Sequence, residues 1–331
     1  MLRSNINNPE KSDFNKIKNP EHIEKVWKII EKNISIYFEK IIAGGDELSK
    51  LEESTSFKVK SSAADIRKRL SEIFEDGLKL YHKEDIKYKN FFSEESMHEF
   101  EDEDDTKGFK AALSTKVPVI LKARNSKREM MHDWQEKFAH SKANDVYAIF
   151  FNLIDFMDEY IDETDSNQFG KINDVEDLEK LFTLNEDDDY NVPGVIGMGI
   201  KSSVLYYLNP KYFLGANKNT LYGFYFLSEC ENFRLPSGSN EFIMINDMKQ
   251  ESNRRNNVNM LIDQNYWYPY DLITMYGLRT NRKLKELCEK YNYTLDDTNR
   301  FINVTSFMSE IWKMEYEKIK TMTGGDQEDA R

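Results

Sequence analysis

Three stretches of the chain repeat apolar residues at the helical period. In "NPEHIEKVWKIIEKNISIYFEKIIAGG" the positions Ile23, Val26, Ile30, Ile34, Phe38 and Ile41 fall on one face, which predicts a helix with that face buried. Asn19 can cap it, Pro20 suits its first turn, and Gly44 with Gly45 can end it. "AADIRKRLSEIFEDGLKLYH" repeats the pattern through Ile66, Leu70, Phe74, Leu78 and Tyr81. "NDVYAIFFNLIDFMDEYI" predicts the most apolar helix, with Asp145 as its cap. Shorter patterns predict strands: "SFKVK" alternates, "VPVILKAR" reads as a buried strand and "EFIMIN" as a short one. "RKLKELCEKYNYTLDDTNRFINVTSFMSEIWKMEYEKI" predicts two or three further helices. The expected fold class is mainly α with minor β.

Two acidic runs interrupt these elements. "EESMHEFEDEDDTKG" reads as a solvated loop, and "NEDDDYNVPG" leads into the second half. The expected organisation is an acidic, mainly helical domain over 1–165, an acidic linker over 166–190 and a second helical domain over 191–331. The net charge of -13 lies essentially before residue 190. An acidic first half repels a phosphate backbone, so nucleic-acid contact is expected from the second half or from a locally basic patch.

Composition narrows the classes further. With 331 residues, 39% of them hydrophobic and 13% aromatic, the chain can build substantial cores. Its mean hydropathy is -0.72, and no apolar run approaches the roughly 20 residues of a membrane span, so no membrane association is expected. The first residues lack the apolar region of a secretion signal. Cys230 and Cys288 stand outside any C-x-x-C spacing, which argues against a disulfide framework or a zinc site and for a reducing cytoplasm. His22, His82, His98, His132 and His140 are scattered; no metal, cofactor or catalytic residue is expected.

One segment looks like a motif. In "PGVIGMGIKSSVLYYLNP" Gly197 and Gly199 precede a small residue, Ser203, and an apolar run. Glycines permit a tight turn and close approach of backbone N–H groups to a phosphate, and a small residue lets the following helix pack closely. A Walker loop fails on spacing, because Gly194 is only three residues before Gly197 and Lys201 does not follow a glycine. A dinucleotide fingerprint fails because Ser202 holds the third glycine's place and no strand precedes it. A DNA-gripping hairpin and a plain glycine turn into a buried helix remain.

These residues resemble the hairpin of the helix-hairpin-helix DNA glycosylase superfamily, with one residue inserted after Gly194. The following "LNPKYFLGANKNTL" is similar to modules of McrB-type restriction and related defence proteins. The likeness covers roughly residues 193–227 and implies a helix-hairpin-helix-like C-terminal region with DNA contacts at Gly197, Gly199, Lys201, Ser202, Asn217 and Lys218. Lys201 stands where some of these glycosylases carry a nucleophilic lysine. Asn217 or Asn219 stands where they carry a catalytic aspartate, and an amide cannot serve as a carboxylate base. Base excision is therefore not expected.

Weaker patterns favour packing. Leu287, Cys288, Tyr291, Asn292 and Phe301 fall near helix-turn-helix positions, but Asp296 and Asp297 would open the recognition helix against phosphates. Asp247 and Lys249 imitate the end of a nuclease metal site without an identifiable partner. Tyr206, Tyr207, Tyr212, Phe213, Tyr222, Phe224, Tyr225 and Phe226 could stack on bases, though such density usually marks a core. The expected function is a non-catalytic component, associated with double-stranded DNA, of a prokaryotic or phage defence-related, restriction-like system. The alternative is a module that docks on a larger protein complex through its acidic half.

Overall fold

The computed structural model describes residues 11–43, 62–100, 102, 105–127, 129–229, 233–236, 240–252, 258–264 and 268–322. The strand expected over "SFKVK" lies outside them. The helices are α1 (Lys11–Ile17), α2 (Pro20–Ala43), α3 (Ala63–Phe91), α4 (Glu94–His98), α5 (Thr106–Lys116), α6 (Pro118–Asn125), α7 (Glu129–His140) and α8 (Ala143–Glu163). They continue with α9 (Ser166–Phe169), α10 (Glu179–Glu186), α11 (Met198–Leu208), α12 (Lys218–Leu227), α13 (Tyr270–Glu289), α14 (Arg300–Met314) and α15 (Tyr316–Met322). β1 (Ile243–Ser252) and β2 (Val258–Gln264) form an antiparallel ribbon. The fold is mainly α with this minor β element, as the periodicities predict.

Local chemistry explains the helix starts. The His22 N–H donates to Asn19 Oδ1 (3.2 Å), and Ser62 and Asp65 form a reciprocal capping box at α3. Asp145 does not cap α8; it sits in the first turn after Lys142, where a carboxylate still favours the positive end of the helix dipole. "VPVILKAR" is not a strand but the start and body of α6. Pro118 occupies its first turn, where a missing N–H costs nothing, while Val117 and Ile120 are buried. The acidic loop over "EESMHEF" also contains a helix, α4, capped by Ser93 and anchored by the buried Met97.

β1 contains "EFIMIN" and extends beyond it, with Ile243 opposite Gln264 and Ile245 opposite Ile262. Asp247 and Lys249 fall in the irregular stretch of register between Ile245 and Gln250.

Apolar residues from Ile17 to Ile319 join one core. α2 packs on α12 and α13, while α3 packs on α11 and α14, so helices of both halves bury one another's faces. Residues 166–190 are not a solvated linker: Phe169, Leu178, Leu181 and Leu184 are fully buried, and α10 packs against α13. Their acids face outward from short amphipathic elements whose leucines recur every three residues.

α14 lies at the centre of the second half and is gripped by three glycines. A Cβ on Gly77 of α3 would meet Ser306 Cβ at 2.8 Å, one on Gly223 of α12 would meet Met308 Cβ at 2.9 Å, and one on Gly277 of α13 would meet a Phe301 ring carbon at 3.0 Å. The α13–α14 connection has Asn292 in the left-handed region (φ 53°), as a helix-turn-helix would. With Phe301, Val304, Phe307 and Met308 buried, however, α14 cannot enter a DNA groove; the pair is core packing.

His22 joins the two halves as well. Its Nε2 lies 2.6 Å from a carboxylate oxygen of the buried Glu241, to which the Tyr268 hydroxyl also donates (2.9 Å).

Candidate nucleic-acid interface

α10 and α11 flank a tight turn. A 3-10 turn over Asp188–Tyr190 leads to a bridge between Val192 and Ile196, and Gly194 sits between them at φ 71°. Glycine adopts that conformation at no steric cost, whereas most side chains are strained there. Gly197, by contrast, has extended backbone (φ -109°, ψ -178°), and a Cβ there would meet nothing within 4 Å. Gly197 is therefore exposed at the start of α11 without a side-chain cap, leaving the first amide groups of that helix for an outside acceptor.

Two of the predicted contact residues point inward. Lys201 is 1% exposed; its Nζ donates to Leu184 O, at the C-terminal end of α10, and to Asn191 Oδ1 (2.6 Å). An amine donor on one of the last carbonyls of one helix, carried by the next, ties the two helices together. Ser202 is fully buried and accepts the Ala216 N–H (3.0 Å), which fixes the loop before α12. Neither side chain is placed to reach a phosphate.

The remaining predicted residues have local duties too. Gly199 O accepts the Ser203 hydroxyl (2.7 Å). Asn217 caps α12 by accepting the Thr220 N–H (3.2 Å), and Lys218 lies over the Trp312 ring at 5.5 Å. A helix-capping role explains an asparagine at 217 without any catalytic ancestor. All the conspicuous aromatics are core except Tyr207, which is half-buried and stacks on Tyr88 at 4.5 Å.

Burial pushes the Lys201 ammonium down to about 7. An unfolded lysine holds its proton to about 10.4, so between those values the unfolded chain binds more protons and stability rises with pH. Above about pH 9 the buried Cys288 thiol, pushed up to about 12, works the other way. Urea unfolding should therefore show stability climbing from pH 7 to pH 9 by up to about 1.4 kcal/mol per unit. Lys201→Met should flatten that rise; an unchanged slope would refute the assignment.

Sequence reading missed the cations around the turn. The Trp134 indole N–H donates to Val195 O (2.8 Å), and Lys137 Nζ lies 3.1 Å from where a Gly194 Cβ would be. These contacts seat α7 on the turn, and α6 packs on both α7 and α11. Residues 106–142, which span α5 to α7, carry nine Lys/Arg against three Asp/Glu. Lys122, Arg124, Lys127 and Lys137 are exposed. The acidity sits elsewhere: residues 155–189 carry fourteen Asp/Glu against two Lys. The signal was legible as a local charge count but vanished in the average over the half.

Among the described residues no group of His, Cys, Asp and Glu could hold a metal ion, and no helix is long and apolar enough to cross a membrane. Compared with protein-family models, with curated proteins and with solved structures, the chain matches none.

Proposed function

We propose that the protein binds double-stranded DNA, as a non-catalytic component of a prokaryotic or phage defence-related, restriction-like system. The observation that carries the proposal is the seating of an exposed, uncapped glycine turn against the α5 to α7 segment, in which Lys and Arg outnumber Asp and Glu threefold over residues 106–142. Amides of the first turn of α11 contact one phosphate, and the side chains of α6 and α7 neutralise its neighbours along the same backbone. Asp187, Asp188 and Asp189 precede the turn and are exposed, so the duplex runs toward α6 and away from them. The interior positions of Lys201 and Ser202 make them supports of the turn, and the defence setting rests on the resemblance of residues 193–227 alone.

A single substitution separates grip from fold. Gly197→Asp has room for its side chain and supplies the missing cap, so it should raise stability by about 0.3 kcal/mol or more. The same carboxylate should weaken duplex binding at least about tenfold, read by fluorescence anisotropy of a labelled duplex. No salt-dependent binding by the wild type, or equal binding by the variant, would overturn the proposal.

The second reading is docking on a larger protein complex through the acidic surface. It is favoured by the crowding of Asp155, Asp158 and Asp162; burial, and after it the neighbouring carboxylates, raises the Asp158 carboxyl above its usual range. That role predicts a stable complex lost on charge reversal within residues 155–189, with no DNA affinity.

A further inference from the structure

α2 and α13 leave an open cleft of about 370 Å3 where the loop after α9 meets them. Its floor is cationic. Arg279, 8% exposed, pairs with Glu24 (2.7 Å) and donates to Asn173 O (2.6 Å), while its buried Nε–H has no acceptor among the described residues. Arg282 donates to Gly170 O (2.8 Å), Ile172 O (2.9 Å) and the Asn173 side chain. Those acceptors are neutral, and no ion pair among the described residues involves Arg282. Burial, and after it the charges of Arg279 and Arg300, pushes its guanidinium down to about 10. Three of its five N–H groups are used, which leaves two.

Lys283 completes the floor, 3.6 Å from Glu31 and 2.9 Å from Glu286. The carboxylates differ from the cations in mobility. The side chains of Glu24, Glu31 and Glu286 are all about half exposed, whereas the two guanidinium groups are fixed by backbone oxygens. Carboxylates at the mouth can turn out to water when an anion enters; the cations below cannot follow them. Trp27, half-buried with the Arg279 guanidinium 5.6 Å from its ring centre, forms the apolar wall.

A volume of this size takes one small ligand. We propose that the cleft binds a small phosphate-bearing molecule of nucleoside monophosphate size, its phosphate on Arg282 and Lys283 and its remainder against Trp27. None of these residues belongs to the glycine turn or to α6 and α7, so the site stands or falls independently of DNA binding.

Calorimetry of the whole protein against inorganic phosphate and AMP, run in parallel, tests the proposal. AMP should bind at one equivalent, at least about fivefold more tightly than phosphate. Trp27→Leu should remove that advantage and leave phosphate binding unchanged. Lys283→Gln should weaken both ligands about tenfold or more, and Glu286→Gln, on the exposed rim, should tighten both by removing a competing carboxylate. Absence of saturable heat from either ligand at about 5 mM overturns the site. So does wild-type affinity in both Lys283→Gln and Glu286→Gln. Equal affinity for phosphate and AMP overturns the nucleoside assignment.

Discussion

Gly223→Ala should destabilise the protein by about 2 kcal/mol or more, while the same change at Gly108 should stabilise it by about 0.5–1 kcal/mol. Both glycines lie inside helices, where alanine gains about 1 kcal/mol in propensity. Their surroundings decide the sign. At Gly108 the nearest atom to a new Cβ is a Phe100 ring carbon at 3.6 Å, an ordinary contact. At Gly223 the new methyl would stand 2.2 Å from Met308 Sδ and 2.9 Å from its Cβ. The sulfur can turn aside; the Cβ moves only with α14. Forcing α12 from α14 disturbs the packing of α14 against α3 and α13 as well, so the cost exceeds that of one overpacked contact. Urea unfolding midpoints measure both effects. A Gly223→Ala protein as stable as wild type would mean that α14 is not held as tightly as the geometry requires.

The triple substitution Lys122→Glu, Lys127→Glu, Lys137→Glu should reduce affinity for a duplex of about 20 base pairs by at least about a hundredfold near 0.1 M salt. Each lysine that neutralises a phosphate contributes about 0.9 to the slope of log affinity against log salt. Loss of three contacts should therefore flatten that slope by about 2.7, and reversal adds repulsion to loss. All three side chains are exposed, with Lys137 in a surface pair with Asp133 (2.7 Å), so folding stability should fall by no more than about 1 kcal/mol. Wild-type affinity and slope in this variant would remove α6 and α7 from the interface. A loss of affinity without a change of slope would place the effect on folding or partner geometry instead.

The long helices were legible because their periodicity is sustained. Ile23 to Ile41 and Ile66 to Tyr81 mark one face over many turns, and Asn19 marks a start. Short apolar runs were not: "VPVIL" offers a strand and a one-sided helix the same residues, and only packing of Val117 and Ile120 decides. The linker over 166–190 misled because charge dominates its composition, although Leu178, Leu181 and Leu184 carry a helical spacing in plain view.

The turn itself was found, but the orientation of its residues was not. A lysine early in a helix reads as surface until its acceptors, Leu184 O and Asn191, are brought up by a fold that no local pattern encodes. The cleft residues had a weaker trace. Arg279, Arg282, Lys283 and Glu286 recur at spacings of three and four along α13, yet only the loop after α9 turns that face into a floor.

The central place of α14 has a consequence for biosynthesis. Translation delivers α3 more than two hundred residues before the Ser306 that packs on its Gly77. At about 5–20 residues per second, α3 waits on the order of ten seconds or more for that partner. Throughout that interval the face of α3 that α14 will cover stays open to water, and toward its end the matching faces of α12 and then α13 join it uncovered. The nascent chain thus carries its most adhesive surfaces before it has the helix that closes them, and the ribosome-bound stage is where holdase chaperones are expected to meet it.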